Sequence, residues 1–193
     1  LVIDRDAPDR GVVFPDPGYP AYQRGALFAG GEAIAIRLSG DHILRPERLD
    51  PAIVERTRMV WINTPHNPSG AVTALDDLKR AADFCRAHDI LLASDETYAD
   101  VYHAAPPHSL LECGTEGILV LHSLSKRSGM TGYRSGFVAG DPELVKTFAT
   151  LRTNPGIVPT DFVNAAAAAA WADDDHTEER RAVFRRKKAL FLE

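Results

Sequence analysis

Lys126 is the residue of this sequence whose neighbours are best suited to chemistry. It follows the apolar run 118–121, which predicts that the lysine lies where a buried strand ends and a loop begins. Ser123 and Ser125 precede it, and Arg134 follows eight residues later. Ligands of open α/β sheets bind at the carboxyl ends of the strands. A lysine there can form an imine with a carbonyl cofactor, and hydroxyl and guanidinium donors suit a phosphate.

Asp95 and Tyr98 follow another apolar run, 90–93, with Ser94 between. A carboxylate at the end of a buried strand requires a cation or hydrogen-bond donors. Asp95 is equally suited to capping a helix N-terminus. Tyr98 would lie on the same side of a helical turn as Asp95, and a half-buried phenol in the core is the alternative.

Two turns rich in proline follow further predicted strands. Asn67 lies in the stiff segment 63–70, where Asn67–Pro68 is a candidate for a cis peptide bond, although an ordinary loop is the simpler interpretation. Tyr19 lies just after the run 12–14 and could present its ring at the same edge of the sheet. A tyrosine beside proline is also common in ordinary packing.

The elements that position these residues alternate between short apolar runs and longer helical patterns. This alternation predicts an α/β fold of three layers, a mostly parallel sheet with helices on both faces. Strands are predicted over residues 12–14, 33–38, 59–63, 90–94, 118–123 and 136–139. Helices are predicted over residues 21–29, 46–56, 74–88, 142–152, 161–172 and from 175 onward. The strand at 136 follows its predecessor too closely for a helical crossover, so we expect it to run antiparallel or at an edge.

Composition excludes several classes of protein. The chain has 193 residues with a net charge of −5, which gives no reason to expect a nucleic-acid partner. No apolar run approaches the ~20 residues needed to span a membrane. Cys85 and Cys113 follow no metal spacing, and the histidines are scattered, so we expect no metal and a reducing cytoplasm. The sequence lacks the nucleophile elbow of serine hydrolases and a dinucleotide fingerprint.

The order of these motifs resembles the fold-type-I aminotransferases of classes I and II, which use pyridoxal 5'-phosphate. The matching segments are PDPGYPAY, NTPHNPSG, SDETYADVY and HSLSKRSGMTGYRSGFVAGD. With RTNPGIVP and AAWADDDH, the resemblance is strongest to N-succinyldiaminopimelate aminotransferases. That narrower resemblance depends on general similarity and not on residues that read the substrate.

The resemblance implies catalytic roles for Lys126, Asp95 and Tyr98. Lys126 would form the Schiff base and then move a proton between the substrate α-carbon and the cofactor. Asp95 would pair with the protonated pyridine nitrogen, which keeps the ring an electron sink. Asn67 and Tyr98 would hydrogen-bond the 3-hydroxyl group, and Tyr19 would stack on the ring.

The resemblance also assigns the phosphate to Ser123, Ser125 and Arg134. Two features of the family are expected outside the chain: an upstream phosphate loop before Leu1 and a carboxylate-binding arginine after Glu193. Both ends are therefore expected to be cut. Residues 1–174 would be the central part of a large cofactor-binding domain, incomplete in this chain. Residues 175–193 would begin the helix that leads to a small C-terminal domain.

The predicted function is transfer of an amino group between an amino acid and a 2-oxo acid. N-succinyl-LL-2,6-diaminopimelate would be the donor and 2-oxoglutarate the acceptor, in a cytoplasmic homodimer. The piece alone would bind cofactor weakly and be poorly active. Two alternatives stay open: a C–S lyase or decarboxylase of the same fold, and the aminotransferase-like sensor of a transcriptional regulator.

Overall fold

Six strands form one sheet in the computed structural model, which describes residues 2–153 and 158–192. They are β1 (Gly11–Asp16), β2 (Glu32–Arg37), β3 (Thr57–Asn63), β4 (Leu91–Asp95), β5 (Ile118–Ser123) and β6 (Gly136–Gly140). Each corresponds to one of the six strands predicted from the apolar runs. Segment 154–157, within the RTNPGIVP motif, lies outside the described residues.

The strand order is β2-β1-β3-β4-β5-β6. The first five strands are parallel, and β6 pairs antiparallel with β5, as its short connection predicted. The carboxyl ends of β1, β3, β4 and β5 therefore meet at one edge. β2 is added on one side of β1, and the strands from β3 onward are added on the other side. The order of addition therefore changes direction between β1 and β3, and ligands bind at such a switch point.

Seven α-helices connect or follow the strands in the described part of the chain. They are α1 (Ala21–Phe28), α2 (Pro51–Val54), α3 (Leu75–Ala87), α4 (Leu124–Arg127), α5 (Pro142–Thr153), α6 (Asp161–Ala172) and α7 (Asp175–Leu192). Lys126 therefore lies in a short helix, α4, rather than in the loop predicted after β5.

The single helix predicted over residues 46–56 was wrong. A 3₁₀ turn, Pro46–Arg48, is separated from α2 by an extended Asp50. The residue before a proline is driven out of the helical region by the proline ring, and Asp50 precedes Pro51. Asp50 instead caps α2, because its carboxylate accepts the N–H of Ala52.

Helices cover both faces of the sheet, which confirms the three-layer prediction. On one face Val60 and Ile62 of β3 belong to the same buried core as Leu78 of α3. The intervening Trp61 points to the other face, where its ring stacks on Tyr22 of α1 with 5.1 Å between centroids. The polar ends of the strands are thus held on a sheet that is packed from both sides.

Helix α7 begins at residue 175, as the sequence predicted. Its last turn is exposed, with Phe191 at 90% of its full accessibility. The division of the chain into domains at residue 175 stays a prediction. Among the described helices, none combines the length and the hydropathy required to cross a membrane.

Candidate active site

All eight residues predicted to form the site line one cavity of about 280 Å³ at the carboxyl edge of the sheet. They are Tyr19, Asn67, Asp95, Tyr98, Ser123, Ser125, Lys126 and Arg134. Thr97 and Thr131 complete the lining and were not predicted. The volume is close to the lower end of the roughly 300–1,000 Å³ found for small-molecule sites.

The lysine is held by a tight transition from strand to helix. Ser123 ends β5, and its hydroxyl oxygen accepts the N–H of Ser125 at 3.1 Å, which caps α4. Lys126 lies one residue further, with Nζ 5.6 Å from the centroid of the Tyr98 ring. The aromatic face of Tyr98 therefore lies beside the amine at the cavity wall.

Asp95 is half-buried and lies against the buried Tyr22, so we call its side of the cavity the buried end; both of its carboxylate oxygens are hydrogen-bonded. Tyr22 donates its hydroxyl to Oδ2 at 2.8 Å, and the N–H of Thr97 donates to Oδ1 at 3.1 Å. Burial, followed by the charge of Asp95, raises the pKa of Tyr22. The phenol therefore stays protonated and donates, which fixes the orientation of the carboxylate.

Sequence reasoning missed Tyr22. It is 4% exposed, and its ring stacks on Trp61 at an interplanar angle of 20°. The available signal was its position three residues after Tyr19, a spacing that puts two side chains on the same side of a helical turn, although only Tyr22 lies within α1.

Asn63 joins the Asp95 strand to the Asn67 loop. Its side-chain N–H donates to the main-chain oxygen of Asp95 at 2.8 Å, and its side-chain oxygen accepts the N–H of Asn67 at 2.7 Å. This buried amide was also missed, although its place at the end of β3 was a signal. The Asn67–Pro68 bond is cis, as predicted.

His66 fastens the same loop to the turn that carries Tyr19. Its Nε2 lies 3.0 Å from the main-chain oxygen of Pro17, and its Nδ1 lies 2.7 Å from the hydroxyl of Ser69. A carbonyl can only accept, so Nε2 carries the proton and Nδ1 accepts from the serine. Burial lowers the pKa of His66, which favours this neutral form.

Arg134 lies at the open end of the cavity. Its backbone is left-handed, with φ of 51° and ψ of 40°, and its Nη1 donates to the main-chain oxygen of Thr131 at 2.9 Å. The residue is exposed, so the rest of its guanidinium fork faces solvent or a ligand. Ser123, Ser125 and Thr131 supply hydroxyl groups to the same cavity.

Glu96, next to Asp95, is a buried carboxylate that the sequence did not single out. It is 1% exposed; Oε1 accepts the N–H of Leu110 at 2.8 Å, and Oε2 lies 3.2 Å from Nε2 of His122. His122 in turn stacks on Phe137. This pair ties the ends of β4 and β5 together directly beneath the site.

The site has the composition of an organic-cofactor site. In residues 2–153 and 158–192, no group of three or more His, Cys, Asp or Glu side chains is arranged to hold a metal ion. One amine, one held carboxylate, an amide, phenols, hydroxyls and a guanidinium converge instead on a single cavity. Such a set can bind a ligand that combines a carbonyl carbon, a heterocycle and an anionic group.

Comparison with known proteins agrees with this composition. An LL-diaminopimelate aminotransferase of Trichormus variabilis is 35% identical over 147 residues, which are 74% of this chain and 38% of that protein. An aspartate aminotransferase of Geobacillus stearothermophilus is 32% identical over 162 residues, 81% of this chain and 41% of that enzyme. The chain therefore spans less than half the length of these relatives.

The fold comparison gives the same result. The crystal structure of an aminotransferase from Neisseria meningitidis matches 96% of this chain and 49% of its own, with a TM-score of 0.90 and 33% identity. The sequence model of the class I and II aminotransferases matches residues 4–193, almost the entire chain. The chain belongs to the class I and II aminotransferase family.

Proposed function

We propose that the protein is an aminotransferase that uses Lys126 to bind pyridoxal 5'-phosphate and to move the substrate proton. The observation that carries the proposal is the convergence of Lys126, Asp95, Asn67 and Arg134 on one cavity in a member of this family. These four residues come from three different connections at the sheet edge, and together they match the chemical groups of the cofactor.

The residues present fit the cofactor of the class I and II family, pyridoxal phosphate. When bound, this cofactor supplies an aldehyde that condenses with amines and a ring that withdraws electrons from the bond being broken. Lys126 is the amine for the aldehyde, and Asp95 is the anion for the ring nitrogen. Asn67 and Tyr98 are donors for the ring hydroxyl.

At the open end, Ser123, Ser125 and Arg134 are the donors for the phosphate. A guanidinium fork gives charge-assisted hydrogen bonds to such an anion, and hydroxyl groups fill the remaining acceptor positions. Tyr19, with 51% of its surface exposed, offers a ring face for stacking.

The residues of this chain contribute in two ways: they hold charged groups at fixed positions, and one of them transfers a proton. With the cofactor bound, the Nζ atom of Lys126 would move a proton between the substrate α-carbon and the cofactor. Tyr22 and Thr97 hold the Asp95 carboxylate in a fixed orientation, so that its negative charge would stabilise a protonated ring nitrogen. The aromatic face of Tyr98 limits the volume in which the amine moves.

For the substrates, we propose a diaminopimelate-type amino donor, N-succinyl-LL-2,6-diaminopimelate, with 2-oxoglutarate as acceptor. The proposal is supported by the similarity to the N-succinyl enzymes in the SLSKRSGMTGYRSGFVAGDPELV segment. Similarity to a protein named LL-diaminopimelate aminotransferase gives the donor skeleton, and similarity to an aspartate aminotransferase makes aspartate the competing donor.

We also propose a cytoplasmic homodimer. Cys85 and Cys113 are free thiols, which suits a reducing compartment. The α1 side chains Leu27 and Phe28, at the C-terminal end of the helix, are exposed at 57% and 89%. An apolar surface of this kind fits a partner subunit, and sedimentation of the full-length protein tests the dimer.

The test of the proposed function is a half-reaction in the full-length protein. Amino donor without acceptor should change the cofactor absorbance stoichiometrically, and 2-oxoglutarate should reverse the change; a lyase or decarboxylase would release product continuously. The rates with N-succinyl-LL-2,6-diaminopimelate, LL-diaminopimelate and aspartate as donors are compared. Borohydride should attach the cofactor to Lys126, and Lys126→Ala should abolish that adduct while the exposed Lys146→Ala retains it. An adduct that survives in Lys126→Ala refutes the assignment.

A further inference from the structure

The turn that carries Lys126 makes hydrogen bonds to α7 and to the connection between α6 and α7. We call residues 124–129 the Lys126 turn. The ring of His176 lies 2.9 Å from the hydroxyl of Ser128. Arg180 donates from Nε to the main-chain oxygen of Arg127 at 3.1 Å, and its Nη2 makes a longer contact of 3.5 Å with the main-chain oxygen of Lys126.

Arg127 belongs to the Lys126 turn and donates hydrogen bonds from the turn to α7 and to the connection before it. It is 5% exposed, and its guanidinium pairs with Asp174 at 2.6 Å and hydrogen-bonds Thr177. Its charge also lies 5.2 Å from the ring centroid of Trp171. Arg127 is not among the residues that line the cavity, so its contacts serve the turn and not a ligand.

The backbone at Gly129 leaves room for the Arg180 guanidinium. Gly129 has a positive φ of 69°, and a Cβ atom there would lie 2.6 Å from Nη1 of Arg180. The last carbonyl groups of a helix have no partner within that helix, and α4 has only four residues. Arg180 therefore satisfies carbonyl groups of the turn that α4 itself leaves free.

We propose that Arg180 is a positioning residue for Lys126. The inference depends on the proposed function of Lys126 and goes beyond it, because Arg180 lies 54 residues further along the chain and acts only through the main chain of the turn. Arg180 binds the main-chain oxygens of Arg127 and Lys126 and so restrains the backbone of the turn. This restraint limits the volume that Nζ of Lys126 can reach. An error of 1 Å in such a position can cost about 100-fold in rate.

The experiment measures how fast the full-length apoprotein forms its adduct with pyridoxal phosphate. Arg180→Met keeps most of the apolar stem and removes all donors, and it should slow adduct formation about tenfold. Arg185→Met is the matched control on the same helix, because Arg185 pairs with Glu178 of α7 itself. The control should form the adduct at the wild-type rate.

Two further measurements separate positioning from a general loss of structure. The thermal midpoints of the Arg180→Met and Arg185→Met apoproteins should both stay well above the assay temperature, and Arg180→Lys, which keeps a charged donor, should recover most of the adduct rate. Adduct formation at the wild-type rate in Arg180→Met overturns the inference, and so does equal slowing in the control. If wild-type protein forms no adduct at Lys126, the proposed function fails instead.

Gly129→Ala gives an independent test, which also serves if Arg180→Met does not fold. The added methyl group should displace the guanidinium and slow adduct formation. In the double variant with Arg180→Met, the two effects should combine to less than their product, because both act on one contact. Fully multiplicative effects would mean that Gly129 acts through its own backbone alone, and they would overturn the role of Arg180.

Discussion

The two ends of the cavity differ in how much of their hydrogen bonding is complete within the protein. At the buried end, both oxygens of Asp95 are bound by Tyr22 and Thr97. At the open end, Arg134 is exposed and makes one hydrogen bond to the main chain through Nη1. The hydrogen bonds of the buried end are thus supplied by the fold, whereas most of the Arg134 guanidinium at the open end stays free to bind solvent or a ligand.

This difference follows from the cost of burial. A carboxylate at the end of a packed strand is costly without donors, so the fold must satisfy Asp95 whether or not a ligand is present. An exposed guanidinium is solvated by water, so Arg134 needs no such provision. We therefore expect substitutions at the buried end to reduce the rate of the chemical step, and substitutions at the open end to weaken cofactor binding.

The largest effect should come from Asp95→Asn. The amide keeps the shape and can still accept from Tyr22, but it removes the negative charge that we propose for the ring nitrogen. We expect kcat to fall roughly 10²–10³-fold, the range for loss of a preorganised electrostatic group. Steady-state turnover at saturating cofactor measures it, with the exposed Asp83→Asn as control. Near-normal kcat would remove Asp95 from the mechanism.

Tyr22→Phe tests the same end of the cavity with a smaller change, because it removes one hydrogen bond to Asp95 and leaves the carboxylate in place. The phenyl ring keeps the stacking on Trp61 but leaves Oδ2 of Asp95 without its donor. Hydrogen bonds to charged groups are worth about 1.5–3 kcal/mol, so kcat should fall by roughly 10- to 100-fold. Tyr102→Phe, elsewhere in the chain, is the control. A change in KM alone would contradict an organising role for Tyr22.

Arg134→Met should act on affinity instead. Loss of one charge-assisted pair with the phosphate should weaken cofactor binding about 10- to 100-fold, and kcat at saturating cofactor should stay near the wild-type value. Fluorescence titration of the apoprotein gives the dissociation constant, and Arg37→Met, at an exposed ion pair, is the control. A loss of kcat as large as that of Asp95→Asn would erase the difference between the two ends.

The sequence predicted the groups that line the cavity better than the groups that support them. Asp95, Lys126 and Arg134 were identified because each follows an apolar strand within a recognisable motif. Tyr22 and Arg180 were not, because their partners lie 73 and 53 residues away in the chain, and only the packed sheet brings them together. Such pairs leave no periodicity to detect.

Secondary structure was likewise predicted where the signal is local in the sequence. All six strands were predicted, since an apolar run at a packed sheet is a local signal. The helix predicted over 46–56 failed at Asp50–Pro51, where a local steric restriction outweighs helical spacing. The antiparallel β6 was predictable because chain length alone forbids a crossover.

The smallest expected effect concerns His66, which supports the buried end through the Tyr19 turn. Its pKa is lowered in the fold, so the unfolded chain binds a proton more readily than the native state. The stability it contributes is therefore present above pH ~6.5, the usual histidine value, and is lost as the pH falls through the lower folded pKa. His66→Gln should cost about 1 kcal/mol of unfolding free energy above that pH and progressively less below it.

Urea unfolding of the full-length apoprotein between pH 5 and 8 measures this difference. Ser69→Ala is the control, because it removes the partner of Nδ1 but keeps the titrating ring and should preserve the pH dependence. A difference between wild type and His66→Gln that does not change with pH would mean that the ring contributes packing alone. The neutral histidine would then have no part in holding the Pro17 and Asn67 segments together, and the buried end would depend on Asn63 and Tyr22 for its organisation.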